Sequence, residues 1–258
     1  MGVRSSVSRV HEQTAYVLHA YDWSESSLIL EIFSRDWGRL AVMAKGVKKP
    51  TSQFRNALLP LQRLRLSWSG ETDIRTLTRC DWDAGGLMPA GDSLMAGLYL
   101  NELLLKLLAR EDAHTALFEV YDHVVRHLDA PLTRATSVRA FELLLLRELG
   151  LLPALDVESS SLQAVQPNER YDLRAEGLVG MGQGSLTGAQ CLQLHDQLFG
   201  SSAHLAGLWE VIMTCEAELR VGLRDLLLAH SGQEVFRTRA VVDEIRQLSQ
   251  AARFQAES

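Results

Sequence analysis

The chain has 258 residues and a net charge of −6, with 47% hydrophobic and 22% charged residues. That balance belongs to a folded protein and excludes one that is disordered over most of its length, and the length predicts two domains, or one with a large appendage. No apolar run is long enough to cross a bilayer, and the opening MGVRSSVSRVHEQ lacks the apolar core of a secretory signal, so a cytoplasmic protein is expected.

Charge is unevenly shared. Residues 1–80 carry 12 Lys plus Arg against seven Asp plus Glu, whereas residues 81–258 carry 14 against 25. One half is suited to a polyanion and the other to scaffolding or protein contacts.

Taken in chain order, the basic half reads as β. Residues 14–19, 27–33, 39–44, 61–68 and 73–79 are short, apolar or alternating, and separated by turn residues such as Asp22, Gly38, Pro50 and Gly70. Residues 51–58 can form a short helix capped by Thr51 or Ser52. Five strands with a helical insertion between the third and fourth predict an OB-fold, a small barrel that binds oligonucleotides. An SH3-like barrel fits the strand count nearly as well but explains the insertion less naturally.

Between the third and fourth strands the sequence gathers Lys45, Lys48 and Lys49, three of the four lysines in the chain. Together with Arg35, Arg39 and Arg55 they are candidates for phosphate contacts, and Trp37 is a candidate for base stacking, with Trp23 in the loop before it. The plainer reading is a solvated loop that keeps a sheet edge from pairing. For Trp68, which alternates with Arg65 and Ser67, a place in the core is expected.

The glycine- and proline-rich stretch 81–91 marks a junction, giving domains of 1–82 and 83–258. Beyond it the chain reads as helix over 94–108, 117–128, 137–149, 187–199, 205–229 and 238–252, with Gly150 as a left-handed stop. Residues 156–186 break the pattern and predict an irregular insertion or a small subdomain with a hairpin. Cys80, Cys191 and Cys215 lack metal or dithiol spacing, so free buried thiols are expected. The fold class is thus α+β: an OB-fold barrel followed by an α-helical domain.

The runs AYVLHAYDWSESSLILEIFSRDWGRLAVMAKGVKKP, LLPLQRLRLSW and DIRTLTRCD, then VRAFELLLLRELGLLP and SGQEVFRTRAV, resemble the RecO family of bacterial recombination mediators across nearly the whole chain. The A-K-G-x-K turn ahead of an L-x-P segment is the most specific part. The resemblance implies a DNA repair and recombination protein, nucleoid-associated, that binds single- and double-stranded DNA and anneals complementary strands. It also implies partners: RecR, and the acidic tail of single-strand binding protein, for which Arg126, Arg134 and Arg139 are rim candidates.

Many members of that family carry four zinc-ligand cysteines after the L-G-L-L-P segment. Here Glu158 and Ser161 stand in the region of the first pair, and residues 177–182 lack the second, so no metal and no other cofactor is expected. Annealing needs no bond chemistry, and an enzyme is not expected. Two alternatives stay open: an RNA-binding barrel of translation or ribosome assembly, and a metal-dependent nuclease, for which the basic half offers only scattered carboxylates.

Overall fold

The computed structural model describes residues 8–52, 54, 57–83, 88–200, 205–242 and 244. The chain divides into two compact units, residues 1–126 and 127–258.

The first unit is built on five strands, β1 (Arg9–Asp22), β2 (Leu28–Ser34), β3 (Gly38–Ala44), β4 (Leu64–Ser69) and β5 (Ile74–Trp82). They close into a barrel in the order β1-β2-β3-β5-β4, antiparallel except for β3 with β5. This is the connectivity of an OB-fold, so the expected fold class holds. β1 is longer than its apolar run suggests because it serves two partners. Its first half pairs with β4, from Arg9↔Ser69 to Ala15↔Leu64, and its second half with β2, from Ala15↔Ser34 to Asp22↔Leu28. A bulge between Val17 and His19 interrupts the pairing with β2.

Alternation sets the two faces of the barrel wall. Ala15, Val17, Leu30, Ile32, Leu40, Val42, Leu64, Leu66 and Trp68 fill the interior. The opposite face carries Tyr16 and Phe33, which are also fully buried, because helix α2 (Thr115–Arg126) lays Phe118 and Tyr121 on them. The Phe33 and Phe118 rings lie 5.3 Å apart and Tyr16 meets Tyr121 edge-on at 5.0 Å. Helix α1 (Gly91–Leu107) adds Asn101, whose amide donates to the Leu18 carbonyl at the bulge (3.1 Å) and accepts from the Tyr121 hydroxyl (2.6 Å). The bulge leaves that carbonyl outside the strand ladder, and Asn101 satisfies it. The two helices expected to belong with the acidic half thus share a compact unit with the barrel.

Of the helix expected over 51–58, part lies outside the described residues. Phe54 accepts turn hydrogen bonds from Ala57 and Leu58.

The second unit contains α3 (Pro131–Glu148), α4 (Gly188–Phe199), α5 (Leu205–Met213) and α6 (Glu216–Ser231). α3 starts six residues before the expected position, with Pro131 in its first turn, and is followed by left-handed Gly150 at φ +67°. α4 begins on a reciprocal cap in which Thr187 accepts from the Gln190 N–H and the Gln190 side chain accepts from the Thr187 N–H. The helix expected over 205–229 is two helices. The chain turns at Thr214 and Cys215, whose N–H groups go to Val211 and Ile212, and α6 restarts with Glu216 and Glu218 in its first turn. Most of 238–252 lies outside the described residues. All three cysteines are free, and burial pushes the Cys191 and Cys215 thiols up to about 12 and about 11.

The stretch 156–186 is ordered around a small antiparallel sheet, β7-β6-β8, made of β6 (Arg170–Arg174), β7 (Gly177–Gly180) and β8 (Leu186–Thr187). The turn before it is fastened to β7 by polar side chains. Glu158 accepts from the Gly180 N–H (2.9 Å), from Ser160 (3.1 Å) and from Ser161, while Ser159 accepts from the Leu178 N–H (2.9 Å). A zinc ion does not fit this donor set. It offers one carboxylate already engaged with three donors, no thiolate and no imidazole, and no group of three metal-binding side chains occurs among the described residues.

The Ser161 hydroxyl, then the Gly180 N–H, hold the Glu158 carboxyl below its usual range. A depressed folded value stabilises above the unfolded value, near pH 4.3, and is lost as pH falls through the folded value. The Gly180 amide should therefore lose exchange protection on acidification below about pH 4. In Glu158→Gln that protection should be weaker and independent of pH over the same range. An equal acid response in both proteins would show that the carboxylate does not hold this turn.

Candidate nucleic-acid interface

The lysine turn and the β1–β2 loop are one structure. Ser27 Oγ accepts from the Gly46 N–H (3.3 Å), and the Lys48 N–H donates to the Ser26 carbonyl (3.0 Å). The Lys48 ammonium donates to the Ser24 carbonyl (3.1 Å) and pairs with Asp22 at 2.6 Å. Gly46, at φ +67°, makes the turn that brings these groups together. Lys45 and Lys49 flank it, both exposed and without an ion-pair or hydrogen-bonding side-chain partner among the described residues. The result is a basic loop braced against a second loop, with two free ammonium groups at its surface.

The end of β1 and the loop that follows it carry Tyr21, 48% exposed, and Trp23, 60% exposed. Tyr21 was not singled out in the sequence, although the alternation His19, Tyr21, Trp23 at the end of an apolar run was a readable signal.

The remaining expected contacts lie elsewhere. Arg35, Trp37 and Arg39 sit at the far end of the β2–β3 hairpin, about 20 Å from the lysine turn along β3 at roughly 3.3 Å per residue. Arg35 pairs with Asp36 (2.9 Å) and Glu119 (2.6 Å). Trp37 packs edge-on against Trp68, with centroids 6.2 Å apart, and Arg75 covers its ring at 5.6 Å. Arg39 is turned under α1, where it donates to the Leu105 and Leu108 carbonyls and pairs with buried Glu31 at 3.3 Å. Arg55 lies outside the described residues.

This end of the barrel is closed by the chain itself. Gly38 abuts the Asp112 backbone so closely that a Cβ there would collide with the Asp112 carbonyl. Glu111 donates its N–H to the Arg39 carbonyl, and Arg110 pairs with Glu31. The outer β2–β3 surface, where OB-folds commonly hold ligands, is therefore largely covered by residues 108–121. Among the described residues, the lysine turn beside the β1–β2 loop forms an open basic surface.

The rim candidates are also occupied. Arg126 pairs with Asp122 (2.6 Å) in the first unit. In the second, Arg134 donates to the Leu128 carbonyl (2.8 Å), and Arg139 is nearly buried between Glu142 and Glu216.

A five-stranded OB-fold barrel with an open basic loop, followed by a helical unit, defines a two-unit OB-fold protein. The model for the N-terminal domain of recombination protein O matches residues 8–84, and that for its C-terminal domain matches residues 88–197. DNA repair protein RecO of Albidiferax ferrireducens is 47% identical over 254 residues, which are 95% of this chain and 99% of the relative. Those of Variovorax paradoxus and Delftia acidovorans are each 46% identical, over 95% of this chain and the full length of the relative. The chain belongs to the RecO family of DNA repair and recombination proteins.

Proposed function

We propose that this protein is a recombination mediator that binds single- and double-stranded DNA, anneals complementary strands and helps load recombinase on DNA coated by single-strand binding protein. The observation that carries the reading is the braced basic turn, with Lys45 and Lys49 unpaired on an OB-fold barrel in a chain of net negative charge. A surface that neutralises two phosphate backbones lowers their mutual repulsion, and base pairing then drives the strands together. The protein performs no bond chemistry in this scheme. Recruitment of single-strand binding protein through its acidic tail, and of RecR, rests on the family and on the division of charge between the halves.

If about four phosphates are neutralised, single-strand affinity should fall with log salt at a slope near −3, at roughly −0.7 per contact. Replacing Lys45, Lys48 and Lys49 together by alanine should flatten that slope to about −1 and slow annealing of complementary oligonucleotides, with and without single-strand binding protein. An unchanged slope in the triple variant would remove the loop from the interface. Competition by RNA of the same sequence tests the translation-factor alternative, because a site that recognises the 2′-hydroxyl favours RNA.

A further inference from the structure

We infer that the exposed outer face at the end of β1 is a stacking ladder that admits only unpaired, extended polynucleotide, an inference that rests on the DNA-binding reading of the lysine turn. Beyond the bulge at Leu18, His19 and Tyr21 lie on the outer face of the strand, and Trp23 continues the alternation into the loop. All three are exposed, past the point where α1 and α2 cover the barrel wall. The His19 ring leans on Tyr21, with centroids 4.5 Å apart and planes at 70°, so the tyrosine is braced before any ligand arrives. Bracing of this kind lowers the ordering cost of binding. Lys48, tied to Asp22 and to the Ser24 carbonyl, fastens the backbone on either side of Trp23 to the lysine turn.

Spacing determines what such a ladder can hold. Alternate residues of a strand recur about every 6.7 Å, whereas neighbouring bases in a duplex stack about 3.4 Å apart. Tyr21 and Trp23 cannot each take a face of adjacent bases unless those bases have separated to about twice their stacked rise. Inside a duplex the base faces are covered by their neighbours and offer nothing to an aromatic ring. The lysines, in contrast, meet phosphates of either form. The interface therefore has two parts: a phosphate-binding turn indifferent to strandedness, and an aromatic edge that reads it.

The test is a comparison of full-length proteins by anisotropy titration on short oligothymidylate and on a duplex hairpin. The double variant Tyr21→Ala, Trp23→Ala should bind oligothymidylate about tenfold more weakly or worse, since each lost stack is substantial. Its duplex affinity and its salt slope should stay as in the parent. The variant Tyr21→Phe, Trp23→Phe keeps both rings and should retain single-strand affinity. Both residues are exposed, so the melting temperature should not move. Unchanged oligothymidylate affinity in the alanine variant, or an equal loss on both DNAs, would overturn the ladder while leaving the lysine turn standing. If the lysine triple variant binds both DNAs like the parent, the interface itself is elsewhere, and the ladder falls with it.

Discussion

Asp122→Ala should destabilise the first unit by about 3 kcal/mol, the lower end of what breaking a buried ion pair costs. The Asp122 carboxylate is almost fully buried and accepts from three sides. The Tyr16 hydroxyl donates at 2.7 Å, Arg63 donates to both oxygens at 3.1 Å, and Arg126 pairs at 2.6 Å. These groups come from β1, the segment before β4, and α2, so one side chain joins the barrel to its helical cover. Burial, then the hydrogen bond to Asp122, hold the Tyr16 hydroxyl far above its ordinary range, so it stays a donor at every pH the fold survives. Alanine leaves that hydroxyl without an acceptor in an apolar setting. The loss stays near the lower end because Arg63 and Arg126 are partly exposed and recover water. Asp122→Asn keeps an acceptor for Tyr16 and should lose less. A thermal melt followed by tryptophan fluorescence should fall by roughly 10 °C for alanine, and an unchanged melt would show that the network contributes nothing net.

That network also shows what could and could not be seen in the sequence. Period-two alternation, as in Leu64, Leu66 and Trp68, located the strands, and lysine crowding located the loop, because both are local signals. The attachment of α1 and α2 was visible only indirectly. The run Ala15 to Leu18 is apolar at every position, and a strand buried on one face alone would alternate, so a second layer had to cover it. Which helices supply that layer depends on Phe118 and Tyr121, a hundred residues away, and no local pattern reports that distance. The small sheet over 170–187 was partly legible, since Tyr171 and Leu173 alternate with Arg170, Asp172 and Arg174. Its fastening by Glu158 was not, because the Gly180 N–H and Glu158 are separated by a long stretch of chain. The sign of an arginine can be read from sequence, whereas its partner cannot, and this is why the pairing of Arg35 with Glu119 and of Arg39 with Glu31 was not legible.

Arg39 is the sharpest case, and Arg39→Ala should cost roughly 2 to 3 kcal/mol while leaving the salt dependence of DNA binding unchanged. Its guanidinium is only 16% exposed. It donates to the Leu105 and Leu108 carbonyls at the end of α1, groups with no intrahelical partner of their own and a partial negative charge from the helix. On the same strand face it pairs with Glu31, a diagonal neighbour across the hairpin. Removing it leaves two helix-end carbonyls unsatisfied and a buried carboxylate that keeps only Arg110. Arg39→Lys should not restore stability, because one ammonium cannot meet two carbonyls and a carboxylate in the geometry of a planar fork. A guanidinium turned inward onto the end of α1, with its side chain only 16% exposed, is poorly placed to meet a phosphate. Urea unfolding and a salt titration on the same variant separate the roles: lowered stability with an unaltered slope is expected. A parental melt combined with a flattened slope would return Arg39 to the DNA-binding surface and reopen the covered face of the barrel as the place where strands bind.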